Sequence, residues 1–223
     1  MNALSVADAA GALGVTQRRV RQLLAAGDLP GARVGRDWIV DRDELDRWRS
    51  RRRHVGRPWK PASAWAVLAL ANGEEPALSP VERSRARRRL AEHGLVGLAG
   101  RLSARSDARR YYGHPAALEP LTLEPGVVRG GVSAAAEYGA GVIGGELVEV
   151  YVAASRVAAL VEKYALDGSA ERPNLLLRVV GDAVWPFAAG VHVAPRPIVA
   201  VDLMDADDER ARRAGRRLAT GVA

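Results

Sequence analysis

The chain has 223 residues, close to half of them hydrophobic, with a net charge of +7 and no cysteine. Such a composition can bury one large core or two to three small ones, and it excludes intrinsic disorder, a disulfide framework and thiolate metal sites. No run approaches ~18 uninterrupted apolar residues, and Met1 to Ser5 carries neither a basic flank nor a long apolar stretch, so neither a membrane-spanning helix nor a signal peptide is expected and the protein reads as cytoplasmic.

Ser5 is positioned to cap a helix running to about Leu13, with Val6, Ala9, Ala10 and Leu13 on one face. Gly14-Val15 breaks it, and Thr16 caps a second helix from Gln17 to Ala26, in which Val20, Leu23 and Leu24 point inward and Gly27 marks the end. Two helices joined by a short Gly-containing turn are the pattern of a helix-turn-helix. Two β-prone runs then flank Gly35-Arg36 within residues 29–40 and predict a small hairpin. Asp41 and Glu44 form a capping-box pattern before a third helix carrying Leu45 and Trp48, and the basic stretch from Arg47 closes at Pro58 and Pro61, the predicted domain boundary.

Residues 62–115 read as a second small basic helical unit. Ala64 to Ala71 is helix-prone, and Ser79-Pro80 starts a helix to about His93 with Val81 and Leu90 on its buried side. Gly94 to Val96 and Arg101-Leu102 are predicted as a short strand or wing. Farther on, Ser133 to Tyr138 reads as a short helix, 147–152 as a strand, Ser155 to Tyr164 as an amphipathic helix, and 175–180 and 198–203 as strands. Asp205 to Leu218 forms a charged closing helix. The predicted class is α+β: a winged helix-turn-helix over 1–57, a small helical or winged-helix-like unit over 62–115, and a C-terminal α/β domain over 116–223.

Positive charge is concentrated at the front. Lys and Arg exceed Asp and Glu by 6 in residues 1–60 and by 4 in 61–115, and fall short by 3 in 116–223. A basic front and a mildly acidic rear point to a polyanion partner for the former only. Lys60 and Lys163 are the only lysines, and arginine suits phosphate and guanine because its fork donates two parallel hydrogen bonds.

The segments Leu4 to Ala10, Gly14 to Thr16 and Gly31 to Val40 resemble the excisionase-type branch of the winged helix-turn-helix proteins related to the MerR regulators. The resemblance covers about fifty residues. It implies that the second helix enters the major groove, with Thr16, Gln17, Arg18, Arg19, Arg21 and Gln22 as groove-facing candidates. Arg33 and Arg36 of the wing would then contact phosphates. Asp37 departs from the family pattern, which commonly has a basic residue at the wing tip, and Trp38 is read as a core plug beneath the wing. Arg51, Arg52 and Arg53, and Arg85 and Arg88 farther on, are further candidates for backbone contact. For Arg18, Arg19 and Arg21, and for Arg51 to Arg53, Arg85 and Arg88, the competing reading is a solvated surface.

Gly139 to Gly144 matches G-x-G-x-x-G by letter, but a helix-like segment precedes it and a strand-like one follows, the reverse of a dinucleotide fingerprint, so it reads as a turn. The acids from Asp202 to Glu209 read as the N-terminal charge of a helix ending in arginines rather than as a metal site. The four histidines are scattered. No catalytic group, cofactor or metal is expected. The rear half is loosely similar to the regulator-antitoxins of abortive-infection toxin–antitoxin pairs, which implies a protein partner such as a toxin. The resulting expectation is a sequence-specific transcriptional regulator binding double-stranded DNA, in its most specific form an antitoxin that regulates its own operon. The alternatives are an excisionase-like architectural factor and, from another class, a nucleotidyltransferase using the rear domain. No heptad run signals a dimer coil.

Overall fold

A computed structural model describes residues 3–25, 29–35, 37–42, 45, 58–142 and 145–221. The chain divides into two compact units, Met1–His54 and Val55–Ala223.

In the first unit, strand β1 (Ala3–Ser5) leads into helix α1 (Val6–Leu13). Ser5 and Asp8 form a reciprocal capping box: the Ser5 hydroxyl accepts from the Asp8 amide at 3.2 Å, and the Asp8 carboxylate accepts from the Ser5 amide at 3.3 Å. Gly14 ends α1 in the left-handed region at φ 66°, where a side chain is disfavoured. Helix α2 (Gln17–Ala25) follows, and then the hairpin of β2 (Ala32–Val34) and β3 (Asp37–Asp41). β3 pairs antiparallel with both neighbours, giving the sheet order β1-β3-β2. Ala9, Ala10, Val20, Leu23, Leu24, Leu29, Val40 and Leu45 form one core, with Trp38 packed partly against it. The predicted caps and turns at Gly27, Arg36 and Glu44, and the helix around Trp48, lie outside the described residues.

The second unit is built on a four-stranded sheet in the order β4-β7-β6-β5, formed by β4 (Asp107–Tyr111), β5 (Val128–Arg129), β6 (Val148–Ala153) and β7 (Leu175–Val180). β6 and β7 run parallel, with a crossover through α7 (Val157–Lys163), and the edge strands pair antiparallel. Side chains alternate along the central strands. Val150, Val152, Leu175, Leu177 and Val179 face a core closed by α5 (Pro115–Thr122) and α7. Tyr151 and Val180 face the other way, into a core shared with α3 (Pro61–Ala71), α4 (Pro80–Leu98), α8 (Arg196–Asp205) and α9 (Glu209–Thr220). A one-turn helix, α6 (Gly131–Ala134), leads out of β5. No helix of the described residues is long and apolar enough to cross a membrane.

Four expectations are corrected by this packing. The run 198–203, predicted as a strand, lies within α8: Pro195 and Pro197 suit a helix start, and every residue from Pro197 to Leu203 is buried. An apolar run buried on all sides has no periodicity with which to separate strand from helix. Residues 94–102, predicted as a strand or wing, are helical around a break at Gly94, and Leu95, Leu98 and Leu102 are buried at helical spacing. Residues 62–115 are not a body of their own, because β4 pairs with β7 and α3 and α4 share their core with α8 and α9. Within α4, Ala86 is buried and Leu90 half-buried, while Val81 is 58% exposed rather than on the inner side.

Close helix packing yields a first prediction. A Cβ on Gly215 of α9 would lie 2.6 Å from the Ala200 carbonyl and 2.8 Å from the Met204 amide of α8, both backbone atoms that cannot step aside. Gly215→Ala is therefore expected to destabilise the second unit by about 1–3 kcal/mol in urea melts, despite alanine's better helix propensity. Gly11→Ala in α1, where nothing lies within 4 Å of the new methyl, is expected to stabilise the first unit by roughly 0.5–1 kcal/mol.

Candidate nucleic-acid interface

The geometry of α2 follows from its apolar stripe. Val20, Leu23 and Leu24 are buried, and at 100° per residue Arg18 and Gln22 project nearly opposite them, flanked by Arg21 on one side. Gln17, Arg18, Arg19, Arg21 and Gln22 are all exposed. Arg21 Nη2 donates to Gln17 Oε1 at 3.3 Å, one turn apart, so this pair shares a face. Arg19 lies on the far flank, away from Arg21. Thr16 is exposed too, but its hydroxyl caps the helix by accepting from the Arg19 amide at 3.3 Å; its first role is structural. α2 thus presents an unbroken polar, cationic surface, braced from behind by the turn in which the Val15 amide donates to the Ala10 carbonyl at 3.1 Å.

The chain entering the hairpin passes close to α2. Gly31 makes this possible: a Cβ there would fall 2.5 Å from Leu24 Cδ2 and 3.1 Å from the Ile39 carbonyl. Arg33 is exposed on β2 and pairs in register with the half-buried Trp38, which packs against the core as expected of a plug. Asp37 is exposed at the start of β3. Arg36, Arg51, Arg52 and Arg53 lie outside the described residues. In the second unit, Arg85 and Arg88 are exposed on α4, and Arg88 lies 3.8 Å from Glu92. Their neighbours are more firmly engaged: Arg83 pairs with Glu75 at 2.9 Å, Arg87 also pairs with Glu75, and Arg89 lies over the Trp59 ring at 5.2 Å.

The other sequence motifs resolve into structure. Gly139 and Gly141 both take positive φ in a turn between a 3-10 segment and β6, and Gly144 lies outside the described residues. The acids from Asp202 onward separate into distinct tasks. Asp208 caps α9 through the Ala211 amide at 2.8 Å, and Glu209 pairs with Arg212 at 2.7 Å. Asp202 is fully buried: its carboxylate meets Arg105 at 2.6 Å, Tyr151 OH at 2.5 Å and the Gly131 amide at 3.0 Å. Arg105 also reaches Asp205 at 2.7 Å, and Arg178 reaches Glu149 at 2.5 Å and Asp202 at 3.4 Å. Burial by itself would raise the Asp202 pKa, but Arg178 and Arg105 outweigh it and hold the carboxyl below its usual range. For Glu149 burial wins over Arg178 and pushes the carboxyl up.

This buried network was not foreseen from the sequence. Its signals were Glu149, Tyr151 and Arg178 at alternate positions of apolar strands, which in isolation read as a solvent-facing side, and Asp202 within the apolar run 198–203. No group of three or more His, Asp or Glu positioned for a metal occurs among the described residues.

No curated protein and no solved structure matches the chain, so the similarity of the rear half to regulator-antitoxins has no counterpart there. Comparison with known families matches residues 3–53 to the helix-turn-helix domain. With the two helices, the turn and the exposed cationic face of α2 in place, the N-terminal unit is a helix-turn-helix DNA-binding domain.

Proposed function

We propose that the chain is a sequence-specific transcriptional regulator whose α2 reads base edges in the major groove. The observation that carries this reading is the outward face of α2, where Arg18 and Gln22 stand opposite the buried stripe, Arg21 flanks them and Gln17 pairs with Arg21. Arg pairs bidentately with guanine and Gln with adenine. Arg33, on the hairpin after α2, supplies a phosphate contact as a wing would, fixing register without reading sequence. Arg85 and Arg88 of the second unit add backbone charge of the same sign.

The test is selection of a preferred duplex from a randomised pool by the full chain. Fluorescence anisotropy on the selected duplex and on a scrambled one of equal length then follows at two salt concentrations. A regulator prefers the selected duplex by about 10³-fold or more, and its affinity for both falls steeply with salt. Equal affinity for the two duplexes would defeat the claim of specificity, and absence of binding to either would defeat the reading altogether. Each of Arg33, Arg85 and Arg88 that contacts a phosphate is expected to lower the salt slope by about 0.9 when replaced by alanine, with the preference between duplexes unchanged.

A further inference from the structure

Aromatic residues are scarce in this chain, which has five tryptophans and one phenylalanine. Two of those tryptophans, Trp65 and Trp185, and the single phenylalanine, Phe187, nevertheless gather around one cavity of the second unit. The cavity has a volume of 330 Å³ and lies between α3, the segment after it, the 184–187 turn and the start of α8. That volume falls at the small end of the ~300–1,000 Å³ typical of ligand sites.

The walls are preformed. Phe187 stacks edge-on against Trp65, with centroids 5.8 Å apart, and against Trp185 at 5.0 Å. Trp65 is held from behind, where its indole N–H donates to the Arg105 carbonyl at 3.0 Å. Pro186 and Pro195 stiffen the rim. Trp185 packs against the core yet stays half-buried, lining the cavity. The cavity opens to solvent past the exposed Ala62 and Ala77, so a ligand can reach these rings without disturbing the core.

The polar groups of the cavity fix the charge of what fits. Asn72 and Glu74 stand together among otherwise apolar lining residues, with Asn72 Nδ2 donating to Glu74 Oε1 at 2.5 Å. The only charged lining residue is thus an acid, which repels an anion and attracts a cation, and indole faces add cation–π attraction. We propose that this cavity binds a small aromatic amine, its ring among Trp65, Trp185 and Phe187 and its ammonium directed to Glu74. The proposal concerns the second unit alone and stands or falls independently of DNA recognition.

The test titrates the full chain with 2-(1-naphthyl)ethylamine and, as a matched anion, 1-naphthylacetate, followed by calorimetry and thermal melting. The amine is expected to bind saturably at one site, raise the melting temperature, and bind about tenfold or more tightly than the acid. Ala62→Phe and Ala77→Phe, both at exposed rim positions, are each expected to abolish the heat while leaving the melting temperature of the free protein unchanged; two variants guard against one misfolding. Glu74→Gln is expected to bring the amine and the acid to similar affinity. Absence of saturable heat, equal binding of both probes by the unaltered chain, or amine binding that survives both rim variants would overturn the proposal. Self-association of the chain that both rim variants remove would overturn it in favour of a second copy as the occupant.

Discussion

Arg18→Ala combined with Arg21→Ala is expected to erase most of the preference for the selected duplex. Each bidentate pair with a base discriminates by about 1–3 kcal/mol, so losing two lowers the preference by roughly 30-fold to more than 10⁴-fold. Residual affinity for any duplex should persist through the remaining arginines, with its salt dependence only slightly reduced. Both side chains are exposed, Arg18 on the face of α2 opposite Val20, Leu23 and Leu24 and Arg21 on the flank beside it. Their removal should therefore change stability by no more than about 0.5 kcal/mol. Arg19→Ala, on the far flank, serves as the internal comparison: a loss of preference equal to that of the double variant would mean that another face of the helix meets the bases.

Asp202→Asn is the substitution expected to damage the second unit most. It leaves Arg105, whose side chain is wholly buried, and Arg178, nearly so, without their shared carboxylate. Breaking a buried ion pair from one side costs about 3–5 kcal/mol, and because Asp205 still faces Arg105 and Glu149 still faces Arg178, the loss is expected at the lower end of that range. Against a total stability of roughly 5–15 kcal/mol, that loss should lower the melting temperature by about 10 °C or more in a unit of this size. A cycle with Arg105→Ala separates coupling from bulk: the double variant should lose markedly less than the sum of the two singles. Additive losses would show that the two groups do not act as a pair.

The same network sets the response to acid. The Asp202 pKa is depressed from its usual 3.8. Its contribution is therefore complete above that value and is lost as pH falls through the lower folded one. Glu149 is raised from its usual 4.5 by burial, so the folded state takes up this proton first and ionisation above that range weakens the fold. Asp202→Asn should thus flatten the acid limb of the stability curve, leaving the opposing Glu149 contribution exposed.

The N-terminal unit was legible because its signals are local. Ser5 and Thr16 as caps, Gly14 as a stop, the spacing of Val20, Leu23 and Leu24, and the hairpin around Gly35 each depend on residues within a few positions of one another. The same holds for the Ser79 cap of α4, which the structure completes with Glu82 as its capping-box partner. These signals place the exposed residues of α2, while the choice of Thr16, Gln17, Arg18, Arg19, Arg21 and Gln22 as groove-facing came from the resemblance to winged helix-turn-helix proteins.

Tertiary structure alone decided three things. The 198–203 run became a helix because the sheet already pairs β5 with β6 and β4 with β7, and a helix satisfies its own backbone hydrogen bonds when buried on every side. The basic stretch over 83–89 belongs to the same body as the rear sheet, since the sequence carries no mark that Asp107–Tyr111 will pair with Leu175–Val180 across some seventy residues. Finally, the parallel register that sets Tyr151 beside Arg178 puts Glu149 on the same face, and α8 then covers that face with Asp202. Alternation along a strand specifies which residues share a side. Only the packing of another element determines whether that side meets water or a buried countercharge.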